Sequence, residues 1–336
     1  MKNRKKNTSL SKTLMIAAAV ILCYTLLASL VEFDMLNRQF KSLIVPIGVN
    51  IILAVSLNLV TGFLGELSLG HAGFMLVGAY SSTLFSLNFD LPGFIEFFLA
   101  ILIGGVTASL FGFIIGIPVL RLRGDYLAIV TLAFNEIIRS LINSMTFPSG
   151  RDKNGEFIMK KGTMGLSGIE TYANYTWVFI AVLITVLFAV NLINSRHGRV
   201  ITSIRDNYIA AESIGIRVSR YKIMCFVIAA FFAGIAGAIN GHNLSGFKSE
   251  YYGYERSIDI LVFVVLGGMG SIRGSIIAAT VLTLLPELLR PIKEYRMLMY
   301  AVLLISMMLF NNSNIKARLM ESRLGRLVGR NKTRED

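Results

Sequence analysis

The sequence predicts an all-α polytopic membrane protein, which is indicated by its composition and by the grouping of its apolar residues. Of the 336 residues, 54% are hydrophobic and only 16% are charged, and the mean hydropathy is +0.64. The apolar residues form runs close to the ~20 residues that a helix needs to cross a bilayer. An ordinary soluble domain carries more charge and no such runs, so the soluble classes are excluded.

The apolar runs predict about ten transmembrane helices in one membrane domain, residues 13–311. The first run, residues 13–31, is longer than the apolar region of a signal peptide and lacks a small-x-small cleavage site, so we expect it to remain as a span. The eighth and ninth runs are short and flank the Gly-rich stretch LGGMGSIRGS, where full spans and re-entrant helices both stay open. The nine later runs cover residues 43–62, 70–88, 95–120, 126–146, 176–194, 222–242, 257–270, 274–289 and 297–311.

Lys and Arg are concentrated in the segments that would be cytoplasmic if the N-terminus lay inside. Residues 1–12 and the tail at residues 312–336 are basic, and so is the long polar segment at residues 195–222. Because Lys and Arg accumulate on the cytoplasmic side of membrane proteins, we expect both termini in the cytoplasm. The same asymmetry accounts for the net charge of +13, which indicates contact with anionic lipid and requires no nucleic acid.

The polar segment at residues 195–222 is where the chain would meet a soluble partner, because long apolar runs flank it on both sides. Its apolar residues recur every three or four positions, which predicts one face of a short amphipathic helix over residues 201–215. The residues of this face are Ile201, Ile204, Tyr208, Ala211 and Ile214 or Gly215. Gly215 suits a helix end. The alternative is a solvated cytoplasmic loop that serves topology alone.

Polar side chains inside the fifth run are candidates for a substrate path, because a charge at mid-bilayer normally faces a cavity or a partner. Glu136 lies about halfway along this run beside Asn135, and Arg139 follows three residues later. Glu136 and Arg139 can therefore pair along the helix. A structural intramembrane pair and a role in the path both stay open.

A second group of candidates lies at residues 62–80, where five glycines are interspersed with polar residues. Glycines allow close helix packing or broken helices, and polar side chains among them could line a pore. A single His in such a stretch is more often a hydrogen-bonded packing residue than a titrating group. The full set of candidate path residues is Ser68, His71, Tyr126, Asn135 and Glu136.

The sequence carries no catalytic constellation. Nucleophile-elbow, zinc-protease and Walker A motifs are missing, and the Gly-rich residues 264–275 have no Lys in the Walker spacing. Cys23 and Cys225 lie inside apolar runs, and three histidines are too few for a metal cluster. We therefore expect a non-catalytic chain that holds no metal or cofactor. An intramembrane enzyme stays open only through Glu66 with His71 or through Asn135 with Glu136.

Four segments carry a family resemblance. They read GELSLGHAGFMLVGAY (65–80), RLRGDYLAIVTLAFNEIIR (121–139), RYKIMCFVIAAFFAGIAGAI (220–239) and VVLGGMGSIRGSIIAATVLTLLPELLR (264–290). In these segments the chain resembles the permease subunits of branched-chain amino-acid ABC transporters. More narrowly, it resembles the M-type of the two permeases that pair in the high-affinity uptake system. The resemblance covers residues from about 45 to about 310.

The resemblance implies a type II ABC importer-like fold of ten helices in a bacterial cytoplasmic membrane. It also implies a second, homologous permease, two cytoplasmic ATPases that hold the ATP and magnesium, and an extracytoplasmic substrate-binding protein. The outer segment at residues 147–175 is long enough to contact that binding protein. The chain itself would supply half of an import path for branched-chain amino acids.

The resemblance further assigns the segment at residues 195–222 to coupling. The stretch around Glu212 loosely matches the E-A-A-x-x-x-G element with which ABC importers dock a short helix on the ATPase. Here the order is A-A-E, and Gly215 follows three residues after Glu212, so the position is better supported than any one side chain. The candidate coupling residues are Arg205, Asp206, Ala210, Ala211, Glu212 and Gly215.

Other functions remain open. Permeases of this type also carry urea or short amides, and the residues exclude neither these nor other amino acids. A secondary transporter or channel would need no ATPase and would transport without nucleotide. A scaffolding protein would transport nothing. Co-purification with an ATPase separates both from an ABC permease.

Overall fold

The computed structural model describes residues 38–89, 92–120, 122, 124–151, 157–168, 171–244 and 246–289, with a few isolated residues nearer the ends. This part of the chain is mostly helical, and a short π-helix, Leu59–Leu64, directly continues the first helix. The α-helices are α1 (Arg38–Asn58), α2 (His71–Asn88), α3 (Gly93–Val119), α4 (Asp125–Ser144), α5 (Tyr175–Asn194), α6 (Arg196–Asp206), α7 (Tyr208–Ser213), α8 (Val218–Asn243), α9 (Tyr254–Gly267) and α10 (Ile272–Leu288).

Eight of the ten predicted runs coincide with helices to within a few residues. The largest shifts at a start are those of α1 and α8, which begin about one turn earlier than their runs. The runs at 13–31 and 297–311 and the two basic ends lie outside the described residues, apart from isolated positions. Within the described residues, five helices are long and apolar enough to cross a bilayer, namely α1 with its π-helical end, α3, α4, α5 and α8. The total of ten spans stays a prediction.

Two small sheets depart from the expectation of a purely helical chain. β1 (Thr146–Arg151) pairs antiparallel with β2 (Phe157–Lys161), and β3 (Leu166–Ser167) pairs antiparallel with β4 (Gly246–Phe247). All four strands lie in the connections that follow α4 and α8. Segments this short carry no periodicity that separates a strand from a loop, so these strands could not be predicted from the pattern of residues.

The sheets mark one end of the helical domain, and α6 and α7 mark the other. α8 has 26 residues and is therefore about 39 Å long. It follows α7 in the chain and ends just before β4. The end of the π-helix packs against α6 through Leu64, so the first membrane-length segment also ends beside α6.

α2, α3 and α8 form the packed centre of the domain. Gly78, Gly104 and Gly234 meet where these helices cross, and a methyl group on Gly78 or Gly234 would overlap the backbone of the neighbouring helix. Small residues allow membrane helices to approach to backbone contact. α1 packs against α8 and also contacts α10, so α1 lies between the packed centre and α10.

Candidate functional site

The segment at residues 195–222 contains two short helices where the pattern predicted one. Asn207 interrupts them with an extended backbone (φ −157°, ψ 102°), and its side chain accepts a hydrogen bond from Ala210 N at 3.1 Å. Ser195 caps α6 in the same manner, accepting from Gly198 N at 3.2 Å. Asn side chains compete with the helical backbone by such bonds, so Asn207 ends α6 and begins α7.

The apolar face of these two helices packs on the membrane domain. Ile201, Ile204 and Ala211 are buried, as the predicted face requires. They form a cluster with Leu64, at the end of the π-helix, and Cys225, on α8. The cluster therefore holds α6 and α7 against two membrane-length segments.

The other side of α7 is an exposed surface, which we call the coupling tip after the role that the sequence resemblance implies for it. It consists of Asp206, Ile209, Ala210, Glu212, Ile214 and Gly215. Ile209 and Ile214 expose 63% and 76% of their surface. The pattern predicted that Ile214 or Gly215 would complete the buried face, but both are exposed. Gly215 adopts φ +88°, and Ile216 N donates to Ala211 O at 3.1 Å. Gly215 thus ends α7 in the left-handed conformation that favours glycine.

Arg205 lies where α6 approaches two interruptions of the membrane helices. Its Nη1 donates to Gly62 O, in the π-helix, at 3.1 Å. A methyl group on Gly270, in the break between α9 and α10, would lie 3.3 Å from the same nitrogen. The guanidinium also contacts Asp206, with 3.2 Å between Nη2 and Oδ1. Arg205 therefore bonds α6 to the first interruption and lies beside the second.

The two interruptions are also joined directly. Asn58 Oδ1 accepts from Gly270 N at 2.9 Å, and Asn58 Nδ2 donates to Ser275 Oγ at 2.9 Å. Gly268 and Gly270 have φ of +91° and +82°, a conformation that other residues rarely adopt. The Gly-rich stretch is therefore a tight turn between two separate helices, α9 and α10, held against the end of α1.

A buried ion pair lies beside the same end of the domain. Lys222, in the first turns of α8, pairs with Glu66, in the connection between the π-helix and α2. Their side chains are only 9% and 13% exposed. The sequence placed Lys222 in the basic segment and Glu66 in the Gly-rich stretch, but their separation of 156 positions leaves no local signal that they pair.

The predicted path residues do not share one cavity among the described residues. Ser68, His71 and Asn135 are buried, whereas Tyr126 is exposed at the start of α4. His71 Nε2 lies 2.8 Å from Ser56 Oγ, which is the packing arrangement expected of a single histidine. The hydroxyl of Ser68 and the amide of Asn135 have no hydrogen-bond partner within the described chain.

Glu136, the fifth of these residues, joins α4 to the start of α9. Its Oε2 accepts from Arg139 Nε at 2.9 Å, and its Oε1 accepts from Tyr254 N at 3.1 Å. Tyr254 is the first residue of α9, where a carboxylate is stabilised by the helix dipole. The Arg139 and Glu136 side chains are 31% and 30% exposed, so the pair borders open space.

A cavity of ≈ 440 Å³ opens beside this pair, and we call it the charged cavity. Its lining residues are Arg139, Glu250, Tyr251, Gly253, Tyr254, Glu255, Arg256 and Asp259. Glu255, Arg256 and Asp259 were not among the candidates from the sequence. Asp259 could have been found from the sequence, because it is an acid inside the apolar run at residues 257–270.

A second cavity of ≈ 430 Å³ adjoins the charged cavity and shares Glu250 and Tyr251 with it. We call it the apolar cavity, because most of its remaining lining is apolar. These residues are Met164, Leu166, Ser167, Leu244, Gly246, Phe247 and Lys248. Neither cavity, nor any other place in the described chain, gathers three or more His, Cys, Asp or Glu side chains that could hold a metal ion.

Comparison with known proteins identifies the family. The family model described as the permease component of branched-chain amino acid transport systems matches residues 40–310. The chain belongs to this family. The high-affinity branched-chain amino acid transport system permease protein LivM of Salmonella typhimurium is 36% identical over 283 residues, and LivM of Escherichia coli K12 is 37% identical over 283. These alignments cover 77% of this permease and 66% of each relative, just under two thirds of their length.

More distant relatives are named for more than one kind of substrate. The high-affinity branched-chain permease protein LivH of Salmonella typhimurium is 24% identical over 245 residues, which cover 69% of this permease and 78% of LivH. The guanosine ABC transporter permease protein NupP of Bacillus subtilis is 27% identical over 228 residues, covering 65% and 64%. No solved structure matches this permease significantly. Similarity across the family therefore leaves the substrate to be argued from the site.

Proposed function

We propose that this permease is one of two membrane subunits of an ATP-driven importer of branched-chain amino acids. The observation that carries the proposal is the coupling tip, which presents two exposed isoleucines beside Glu212. Apolar side chains exposed beside a charge suit a protein partner better than lipid or water alone. We identify this partner as a cytoplasmic ATPase, which would hold the ATP and magnesium.

The remaining partners follow from the relatives. LivM and LivH are both named as permease proteins of the high-affinity branched-chain system, and this permease is similar to both, more closely to LivM. We therefore assign it a second, homologous permease, two ATPases and an extracytoplasmic binding protein that would contact the sheet end. The assembly would lie in a bacterial cytoplasmic membrane with both termini of this permease inside, because the basic segments would then be cytoplasmic.

In the proposed mechanism, closure of the ATPase pair displaces α6 and α7. Arg205 passes this displacement to Gly62 O and the Gly270 turn, and the pair of Lys222 with Glu66 passes it to the start of α2. Interrupted helices can rearrange with less loss of internal hydrogen bonding than continuous ones. Coupling requires that the ATPase contacts differ between outward- and inward-facing states, and the exposed tip provides those contacts.

Glu212→Lys tests the coupling tip. Glu212 is exposed and lies outside the buried cluster that holds α6 and α7 on the membrane domain, so the variant should insert and assemble. We expect leucine uptake by proteoliposomes to fall about tenfold or more, by the loss of charged contacts at a protein interface, while the ATPases still hydrolyse ATP. Uptake per ATP hydrolysed is the quantity to measure. Wild-type uptake by the assembled variant would remove the assignment.

Asp125→Lys provides the matched control, because Asp125 is an exposed acid at the start of α4 and outside the coupling tip. It should keep the ratio of uptake to ATP hydrolysis. The same vesicles separate the alternatives. Uptake without nucleotide would indicate a secondary transporter or channel, and uptake of urea or of guanosine in place of leucine would overturn the proposed substrate.

A further inference from the structure

We infer that the charged cavity and the apolar cavity together form a subsite for a zwitterionic amino acid with an aliphatic side chain, inside the translocation path. This inference rests on the proposed function and deepens it. The charged cavity would bind the ammonium and carboxylate groups, and the apolar cavity would receive the side chain. Urea and short amides offer neither the pair of opposite charges nor the apolar tail.

The depth of the charged cavity supports a place within the path. α9 has 14 residues and is about 21 Å long, so it is too short to cross the ~30 Å hydrocarbon core. Its first residue bonds to Glu136, near the middle of α4. Its third residue, Arg256, bonds to Asn50 near the middle of α1 at 2.5 Å. These contacts with the middles of α4 and α1 place the start of α9 near the middle of the membrane.

The charges at this depth cannot face lipid. Arg139, Glu255, Arg256 and Asp259 all line the cavity, and Glu255 and Asp259 are exposed on the surface of this chain. Charged side chains at the centre of a bilayer face a water-filled path or a polar partner surface. This face of α4 and α9 is therefore the side on which the second permease would close the path.

The orientation of Arg256 is fixed before any ligand arrives. Its Nη2 is bonded to Asn50, and its guanidinium lies 6.0 Å from the centre of the Tyr251 ring. The Arg256 side chain lines the charged cavity. A guanidinium has five N–H donors, and the bond to Asn50 uses one of them. The remaining donors suit a carboxylate in the cavity. Asp259 lies one helical turn further along α9 and supplies the opposite charge.

The apolar cavity gives the aliphatic side chain a defined direction. It shares Glu250 and Tyr251 with the charged cavity, so the two spaces are contiguous. Leu166 and Phe247 are its buried walls, and Met164 and Leu244 complete them. At ≈ 430 Å³ it has room for a leucine, isoleucine or valine side chain. Because β3 and β4 carry these walls, the tail would point toward the sheet end of the permease.

Photo-crosslinking tests the subsite in the purified assembly without relying on delivery by the binding protein. The probe is a leucine analogue that carries a diazirine in its side chain. We expect labelled peptides from residues 164–168 and 244–251, and we expect excess leucine to compete. Neither 3-methylbutylamine nor 4-methylpentanoate should compete comparably, because each lacks one of the two charges.

Two variants test the charges separately. Arg256→Gln and Asp259→Asn should each lower labelling about tenfold, as the loss of one charge-assisted contact implies. Lys161→Gln, which removes an exposed cation on β2 outside both cavities, should leave labelling unchanged. Labelling of other segments, or equal competition by the singly charged analogues, would overturn the inference. If vesicles still take up leucine with ATP after such a result, the subsite is wrong and the proposed function stands; an assembly that takes up no leucine refutes the function itself.

Discussion

Lys222 and Glu66 show how a single pair of side chains joins two distant parts of the chain. Moving two charges out of water costs several kcal/mol each, and their attraction offsets this only in good geometry. The pair is thus a modest source of stability while both partners are present. Removing one partner is much worse, because the other charge then stays buried alone. The pair therefore fixes the start of α8 relative to the connection before α2.

The variant Lys222→Met should destabilise the permease by about 3–5 kcal/mol, because Glu66 would remain charged and buried without a partner. Adding Glu66→Gln should restore most of the loss, since a neutral amide needs no counter-charge. The measurement is the thermal unfolding midpoint of the purified assembly in one detergent. A single variant that unfolds at the wild-type temperature, or a double variant no better than the single, would contradict this view of the pair.

The residue types at the site were partly predictable, but their partners were not. Glu136 and Arg139 are three positions apart on one helix, so helical geometry alone indicated their contact. Glu66 with Lys222 and Asn58 with Gly270 join parts of the chain that only tertiary packing brings together. Single-sequence periodicity describes one element at a time and carries no information about which elements become neighbours.

At the scale of elements, the π-helix after α1 and the turn between α9 and α10 act as one unit. Gly62 lies at their contact, and a methyl group there would overlap both Asn58 Oδ1 and Gly270 N. Both atoms belong to the hydrogen bond that joins the two interruptions. The absence of a side chain at Gly62 is therefore what allows the two interruptions to meet beneath Arg205.

Gly62→Ala should destabilise the permease by about 1–3 kcal/mol, as overpacking of a close contact does, and should lower uptake per ATP hydrolysed. Gly116→Ala is the matched control. A methyl group at Gly116, inside α3, would have its nearest neighbours at 3.4 and 3.5 Å, so this change should stabilise the helix by about 0.5–1 kcal/mol. Unfolding midpoints and uptake ratios of the two variants check the contrast; equal behaviour would argue against a critical contact at Gly62.

The sequence predicted the long elements better than the short ones. Apolar runs located eight helices, because helices buried in lipid or in the bundle need such runs. The break at Asn207 was missed because α6 and α7 keep one apolar face across it, and the face alone suggested a continuous helix. What ends α6 is a local side-chain bond to Ala210 N, which competes with the helical backbone without disturbing the apolar pattern.

At the scale of the whole molecule, the two ends of the helical bundle differ in the partners that they suit. One end carries the coupling tip and the contacts that tie it to the helix interruptions. The other carries the two sheets and the apolar cavity. Between them, the charged cavity opens where the start of α9 meets the middle of α4. The importer proposed above would need this polarity, because its ATPases and its binding protein would act from opposite sides of the membrane.

This polarity predicts the orientation of the permease in the membrane. α8 is long enough to place Ser213, just before it, and Thr163, on the sheet side, at opposite faces of the bilayer. Both residues are exposed. In a parent with Cys23 and Cys225 replaced by serine, Thr163→Cys should react with a membrane-impermeant maleimide in intact cells. Ser213→Cys should react only after lysis, because the excess of Lys and Arg in its segment favours the cytoplasm. Reaction of Ser213→Cys in intact cells would place the coupling tip outside and remove its assignment to an ATPase.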